Sequence, residues 1–153
     1  LNQFDKAVTE FEKAVRLHPN YEKAFYALGM AHKDLRNFAA AENAFRQALK
    51  FSDNGETWFD LAVVLFELKK YDESAASFRK AIKFGSQANA ASYNNLGVIY
   101  ALRSDFETAE KEFEIAAKLD FADARSNLQI VRKFRISNDK ELIARLILQE
   151  KNK

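Results

Sequence analysis

Tyr93-Asn94-Asn95-Leu96-Gly97-Val98-Ile99-Tyr100 and, shortly after it, Phe106-Glu107-Thr108-Ala109-Glu110-Lys111-Glu112-Phe113 carry the pattern that decides how this chain folds. The first stretch is echoed upstream by Phe25-x-x-Leu28-Gly29 and Trp58-x-x-Leu61-Ala62. The second belongs to a longer ladder, because Phe11, Phe45, Phe78 and Phe113 recur at spacings of 34, 33 and 35 residues. Three residues after each stands Ala14, Ala48, Ala81 or Ala116; four before each stands Ala7, Ala41, Ser74 or Ala109. Seven before each stands an aromatic residue, Phe4, Phe38, Tyr71 or Phe106. Columns that keep one register over four units are the signature of a repeat architecture.

Each unit reads as a pair of helices. Apolar residues at helical spacing, such as Trp58, Leu61, Leu65 and Leu68, predict first helices over 22–35, 56–68 and 90–103. Short turns such as Arg36-Asn37 and Lys69-Lys70 lead into second helices over 38–51, 71–84 and 106–119, and a further second helix over 5–17 opens the chain. The small residues Gly29, Ala62 and Gly97 let two helix backbones approach, and the aromatic columns fill the space beside them. Acidic Asp72, Glu73, Glu107 and Glu110 suit the positive starts of second helices, and Arg79, Lys80 and Lys83 suit a negative end. No such helix buries its apolar stripe alone, so neighbouring units must stack. The expected class is all-α: a superhelix of stacked antiparallel helix pairs.

Composition agrees. The chain has 153 residues, 48% of them hydrophobic, with only four glycines and one proline, too little punctuation for a turn-dense β-sandwich. The absence of cysteine excludes a disulfide framework, a thiolate zinc site and a cysteine nucleophile. No run approaches the ~20 consecutive apolar residues of a membrane span, and no signal peptide is evident. Compartment stays open, with the cytoplasm slightly favoured.

With these columns in place, the chain resembles the tetratricopeptide repeat, whose pattern is matched by Tyr93, Leu96, Gly97, Tyr100, Ala109 and Phe113. Phe25, Leu28, Gly29, Ala41, Phe45 and Ala48 match in one middle unit, and Trp58, Leu61, Phe78 and Ala81 in the other. The closing proline of the pattern occurs once, as Pro19; Asp53, Ser86 and Phe121 replace it elsewhere. Expected boundaries are an array over 1–121, divided as 1–20 (partial), 22–55, 56–88 and 90–121, and C-terminal capping helices over 122–153. Leu1 falls midway through a unit, so the chain is expected to be cut from a longer protein. In 122–134, Arg125, Gln129 and Arg132 occupy the aromatic and glycine columns, as expected of a cap with a polar outer side. The segment 139–151 is amphipathic, with Leu142, Ile143, Leu146 and Ile147 either covering the last unit or docking a partner or second copy.

The resemblance implies a general protein-interaction scaffold, non-enzymatic and without a cofactor or metal, whose concave groove, lined by first helices, binds a peptide or helix of a partner protein. The groove residues would be Tyr26, Met30, Lys33, Phe59, Asp60, Val63, Phe66, Asn94, Asn95, Val98, Leu102 and Asn127. Tyr26, Met30, Phe59, Val63, Phe66, Val98 and Leu102 would be apolar where water otherwise reaches, the mark of a binding surface; Phe59 and Phe66 read as surplus to the stack. Asp60, Asn95 and Asn127 stand just before the repeated leucine, where an amide can both donate to and accept from an extended backbone, or else bond within the repeats. A clamp for acidic chaperone tails is rejected, because Tyr26, Met30, Asp60, Ala91 and Asn95 put no cation where a carboxylate would need one. His32 reads as packing between helices, His18 as solvated, and no phosphate loop, paired-histidine spacing or nucleophile elbow occurs.

Charge divides unevenly. Residues 122–153 carry eight Lys/Arg against four Asp/Glu, and residues 1–121 carry 16 against 18. The basic end is read as a solvated face, and nucleic acid is not expected without interleaved exposed aromatics. The alternative to groove binding is an assembly protein that self-associates through 139–151 or through free ends of the stack.

Overall fold

The computed structural model describes residues 2–18 and 20–137. Eight α-helices occupy these residues: α1 (Asn2–Leu17), α2 (Glu22–Asp34), α3 (Phe38–Ala48), α4 (Gly55–Glu67), α5 (Tyr71–Lys83), α6 (Asn89–Leu102), α7 (Phe106–Lys118) and α8 (Ala122–Ser137). The amphipathic segment 139–151 lies outside the described residues. The chain divides between Gln87 and Ala88 into two compact units, α1–α5 and α6–α8. In the first, each helix packs chiefly on the next in sequence; in the second, α7 packs on both α6 and α8. The all-α class and the antiparallel pairs follow the repeat columns.

The pairs are interlocked by the small-residue column. A Cβ placed on Gly29 would lie 2.6 Å from the Phe45 ring, and one on Gly97 would lie 2.6 Å from the Phe113 ring. Phe45, Phe78 and Phe113 are fully buried, as are Ala41, Ala48, Ala81, Ala109 and Ala116. The middle pair solves the contact differently. Ala62 replaces the glycine, and Ser74, which replaces Ala41 and Ala109, donates its hydroxyl to the Ala62 carbonyl at 2.8 Å. The core of the first unit centres on Ala41, Phe45, Leu61, Val64 and Leu65.

Helix ends are defined by backbone geometry more than by residue type. Arg36, Lys69, Gly85, Ser104 and Asp120 all have positive φ. At each, two reversed hydrogen bonds close the helix: Lys69 N–H donates to Phe66 O at 2.9 Å and Lys70 N–H to Leu65 O at 2.9 Å, for example. Glycine fits this conformation without strain, yet four of the five positions carry a side chain. Helix α3 departs from the pattern. It was expected to reach 51 but stops at Ala48, where Lys50 and Phe51 turn back through bonds to Gln47 and Ala48. That turn lays Phe51 on Phe25, with ring centroids 6.0 Å apart. Asn54 then caps α4, accepting from Glu56 N–H at 2.9 Å and Thr57 N–H at 3.1 Å.

Helix α8 bears out the expected polar cap. Ala124, Asn127, Val131 and Phe134 are buried, whereas Arg125, Gln129 and Arg132 are exposed. Arg132 bonds Glu110 at 2.7 Å and Glu114 at 2.6 Å, and Arg135 pairs with Glu110 at 2.9 Å. The face on which the other first helices receive a second helix is therefore charged on α8 and tied to α7.

Two substitutions test this account by chemical denaturation. Gly97→Ala, although alanine is the better helix former by about 1 kcal/mol, is expected to lower stability by about 1–3 kcal/mol, because the new methyl overlaps the Phe113 ring. Lys69→Gly is expected to raise stability slightly, by up to about 1 kcal/mol, because relief of the strained φ outweighs the entropy glycine adds to the unfolded chain.

Candidate functional site

In the first unit, the candidate residues of α2 and α4 come together around one carboxylate. Asp60 on α4 is buried and accepts from two side chains of α2: the Tyr26 hydroxyl at 2.8 Å and Lys33 Nζ at 2.5 Å. Burial, then the negative charge and hydrogen bond of Asp60, push the Tyr26 phenol well above its usual pKa, so it stays a protonated donor. Tyr26 also stacks obliquely on Phe45 at 5.8 Å. The cluster cross-links two first helices through Tyr26, Lys33 and Asp60, three residues expected to line a groove.

The apolar stripe is less free than its spacing suggests. Tyr26 and Met30 are half-buried and lean on the core around Phe45 and Leu65. Phe59 meets Phe78 edge-on at 5.7 Å, and Phe66 meets Tyr71 edge-on at 5.4 Å. These two rings are thus part of the stack and not surplus to it, because the second helix supplies each with an aromatic neighbour. Val63 is half-buried beside them. A cleft of about 270 Å³ opens nearby, lined by Glu22, Lys23, Tyr26, Asn54, Glu56 and Thr57. Glu56 in that cleft also accepts from Gln87 N–H at 2.6 Å and Ser86 Oγ at 3.2 Å, anchoring the turn after α5.

In the second unit, Asn94 and Asn127 are buried and bonded to one another, Asn127 Nδ2 donating to Asn94 Oδ1 at 2.9 Å. Val98 is buried as well, which corrects its reading as water-exposed. Asn95 and Leu102 are half-buried. The three residues of one repeat column therefore do three things. Asp60 holds an ion pair, Asn127 holds an amide pair, and Asn95 lies half-open to solvent. Helical spacing alone does not separate these outcomes, because each depends on what the neighbouring first helix presents.

The described large apolar residues that stand exposed are Leu17, Tyr21, Phe51, Phe84, Ile115 and Leu119, none of them in the predicted set. Their signal was present in the sequence, because Leu17, Phe51, Phe84 and Leu119 keep the repeat spacing, six residues after Phe11, Phe45, Phe78 and Phe113. His32 is half-buried between helices, with its Nδ1 buried and unpartnered.

Family models describing the tetratricopeptide repeat match residues 1–35, 26–89 and 90–123. The chain belongs to the tetratricopeptide repeat family. Among curated relatives, it is 23% identical over 119 residues to anaphase-promoting complex subunit 3 of Schizosaccharomyces pombe, covering 77% of this chain and 18% of that protein. It is 24% identical over 149 residues to the Hsp70-Hsp90 organising protein of Plasmodium falciparum, covering 76% of this chain and 26% of that protein. The chain thus spans about a quarter or less of the length of these relatives. Its fold matches the crystal structure of MamA with a TM-score of 0.82 and 17% identity, covering 99% of this chain and 91% of that one. It also matches YrrB, described as a TPR protein with an unusual peptide-binding site, with a TM-score of 0.77 and 20% identity, covering 91% and 73%. At such identities the structural matches speak for the tetratricopeptide fold alone.

The Asp60 cluster is expected to contribute stability as a unit. Asp60→Ala strands the Lys33 ammonium and the Tyr26 hydroxyl and should cost about 1–3 kcal/mol in denaturant unfolding. Replacing both charges, as Asp60→Leu with Lys33→Met, should recover most of that loss, since an apolar pair removes the desolvation penalty.

Proposed function

We propose that this chain is a non-catalytic interaction module whose first-helix faces hold a segment of a partner protein. Tetratricopeptide proteins mediate protein–protein interaction, and within each unit the first helices lie side by side. The observation that carries the reading is the second unit's amide cluster. Asn94 and Asn127 are pre-bonded through one donor and one acceptor. Each amide has further bonding capacity, and Asn95 beside them is half-open. Fixed amides suit an extended partner, whose main-chain N–H and C=O are free, better than a helix, whose backbone groups are already paired. In the first unit, Met30, Val63 and the outer edges of Phe59 and Phe66 supply apolar contact, and the Lys33–Asp60 pair supplies polarity. Residues over 1–121 form the binding array in this reading, and 122–137 its cap.

The test uses a peptide selected from a displayed library against the whole chain. Phe59 and Phe66 are poor probes, since their rings also hold the stack. Asn95→Ala is the cleaner change. Affinity should fall by about fivefold to tenfold, equivalent to one net hydrogen bond of about 1 kcal/mol, with the unfolding temperature unchanged. A selected peptide whose affinity ignores Asn95→Ala, Met30→Ala and Val63→Ala alike would place binding elsewhere.

A further inference from the structure

Asn54-Gly55 is the one Asn-Gly pair in the chain, and every other asparagine is followed by a residue that carries a side chain. An asparagine amide is lost as ammonia when the next backbone nitrogen attacks its Cγ. Glycine leaves that nitrogen least obstructed, because it has no Cβ. The pair stands where the chain enters α4, with Asn54 exposed and Gly55 buried. Packing demands the glycine. A Cβ at 55 would lie 2.6 Å from the Ser86 nitrogen and 2.9 Å from the Phe84 carbonyl oxygen, both backbone atoms of the turn after α5. The first unit therefore closes on a residue that makes its neighbour chemically labile.

The folded geometry opposes the attack. Ring closure needs Asn54 Cγ and Gly55 N on the same side of the Asn54 Cα–C bond, and a ψ of 128° rotates them apart. Asn54 Oδ1 is also held by Glu56 N–H at 2.9 Å and Thr57 N–H at 3.1 Å. Both bonds must break and ψ must turn before Gly55 N meets Cγ. That is the fraying of one helix start, which opens far more often than a whole unit unfolds.

We propose that Asn54 is a site of spontaneous deamidation, gated by its own cap on α4, whose isoaspartyl product undoes the join between α4 and α5. Gly55 N gives its proton to a solvent base and bonds to Asn54 Cγ. The Cγ–Nδ2 bond breaks, and ammonia leaves with a proton from water. A second water opens the cyclic imide at either carbonyl, giving aspartate or isoaspartate without any redox change. Aspartate caps a helix as well as asparagine does and suits its positive end. Isoaspartate instead routes the main chain through Cβ and Cγ, adding a methylene just before Gly55. No space exists there for it, since Gly55 is tight against Ser86 and Phe84. Glu56 is displaced with it, and Glu56 holds Gln87 N–H at 2.6 Å and Ser86 Oγ at 3.2 Å. Either product adds a carboxylate to the cleft that Asn54 lines with Glu22 and Glu56.

The test is incubation of the whole chain in warm, mildly alkaline buffer, with and without urea. Peptide mapping then follows each asparagine and separates aspartyl from isoaspartyl products by elution. In urea, Asn54 should convert ahead of every other asparagine. In the folded chain it should still convert, but at least about fivefold more slowly, the value of one helix cap. Asn54→Ser keeps a capping oxygen and should remove the reaction at this position with little change in unfolding temperature. Asn54→Asp should match the unaltered chain in unfolding temperature, whereas the purified isoaspartyl fraction should unfold at a lower one. The proposal is overturned if another asparagine leads in urea, or if Asn54 converts equally fast folded and unfolded. It is also overturned if the folded chain shows no conversion once the unfolded chain is fully converted, or if the isoaspartyl fraction is as stable as the unaltered chain.

Discussion

The close approach of a phenyl ring to a helix backbone is the contact on which this structure depends. Phe45 over Gly29 and Phe113 over Gly97 each occupy space that a single methyl group would claim. The glycine lowers helix propensity by about 1 kcal/mol, but the ring it admits is fully buried and brings the two helices of a pair into register. Around that contact the alanines three after and four before each phenylalanine bury completely, since nothing larger fits between helices already so close. The middle pair shows that the constraint is spatial and tolerates another chemistry. Ala62 fills the place of glycine, and Ser74 satisfies itself on the Ala62 carbonyl.

Once the helices are spaced in this way, neighbouring first helices lie near enough for their polar side chains to choose one another. Asp60 takes Tyr26 and Lys33; Asn127 takes Asn94. These links join positions roughly one repeat apart in sequence, so each repeat's polar chemistry is completed by its neighbour. The same logic governs the end of the array. Arg132 has no aromatic or glycine column to serve and instead turns to Glu110 and Glu114 on α7.

Much of the fold was legible in the sequence. A repeat multiplies every weak local preference by the number of units, and columns such as Phe11, Phe45, Phe78 and Phe113 place helices to within a few residues. The exception at Ala48 arose because Phe51 finds a ring partner in Phe25, a contact that helical periodicity does not encode. The candidate site was legible only in part. Spacing marked Tyr26, Met30, Phe59, Val63, Phe66, Val98 and Leu102 as a stripe, but whether such a residue is open depends on its neighbours. Phe59 found Phe78, Phe66 found Tyr71, and Val98 was covered.

The sequence by itself determined the class, the unit length and the pairing of helices, because these follow from period, small-residue placement and the aromatic ladder. It also held, in Leu17, Phe51, Phe84 and Leu119, a column whose exposure only the structure shows. Only the tertiary structure decided which of two chemically similar positions is buried, bonded or open. Asp60, Asn95 and Asn127 share one place in the repeat and have three fates, since hydrogen-bond partners are chosen across helices at distances of a few ångströms. A linear pattern records the order of residues along the chain and not the groups that face them.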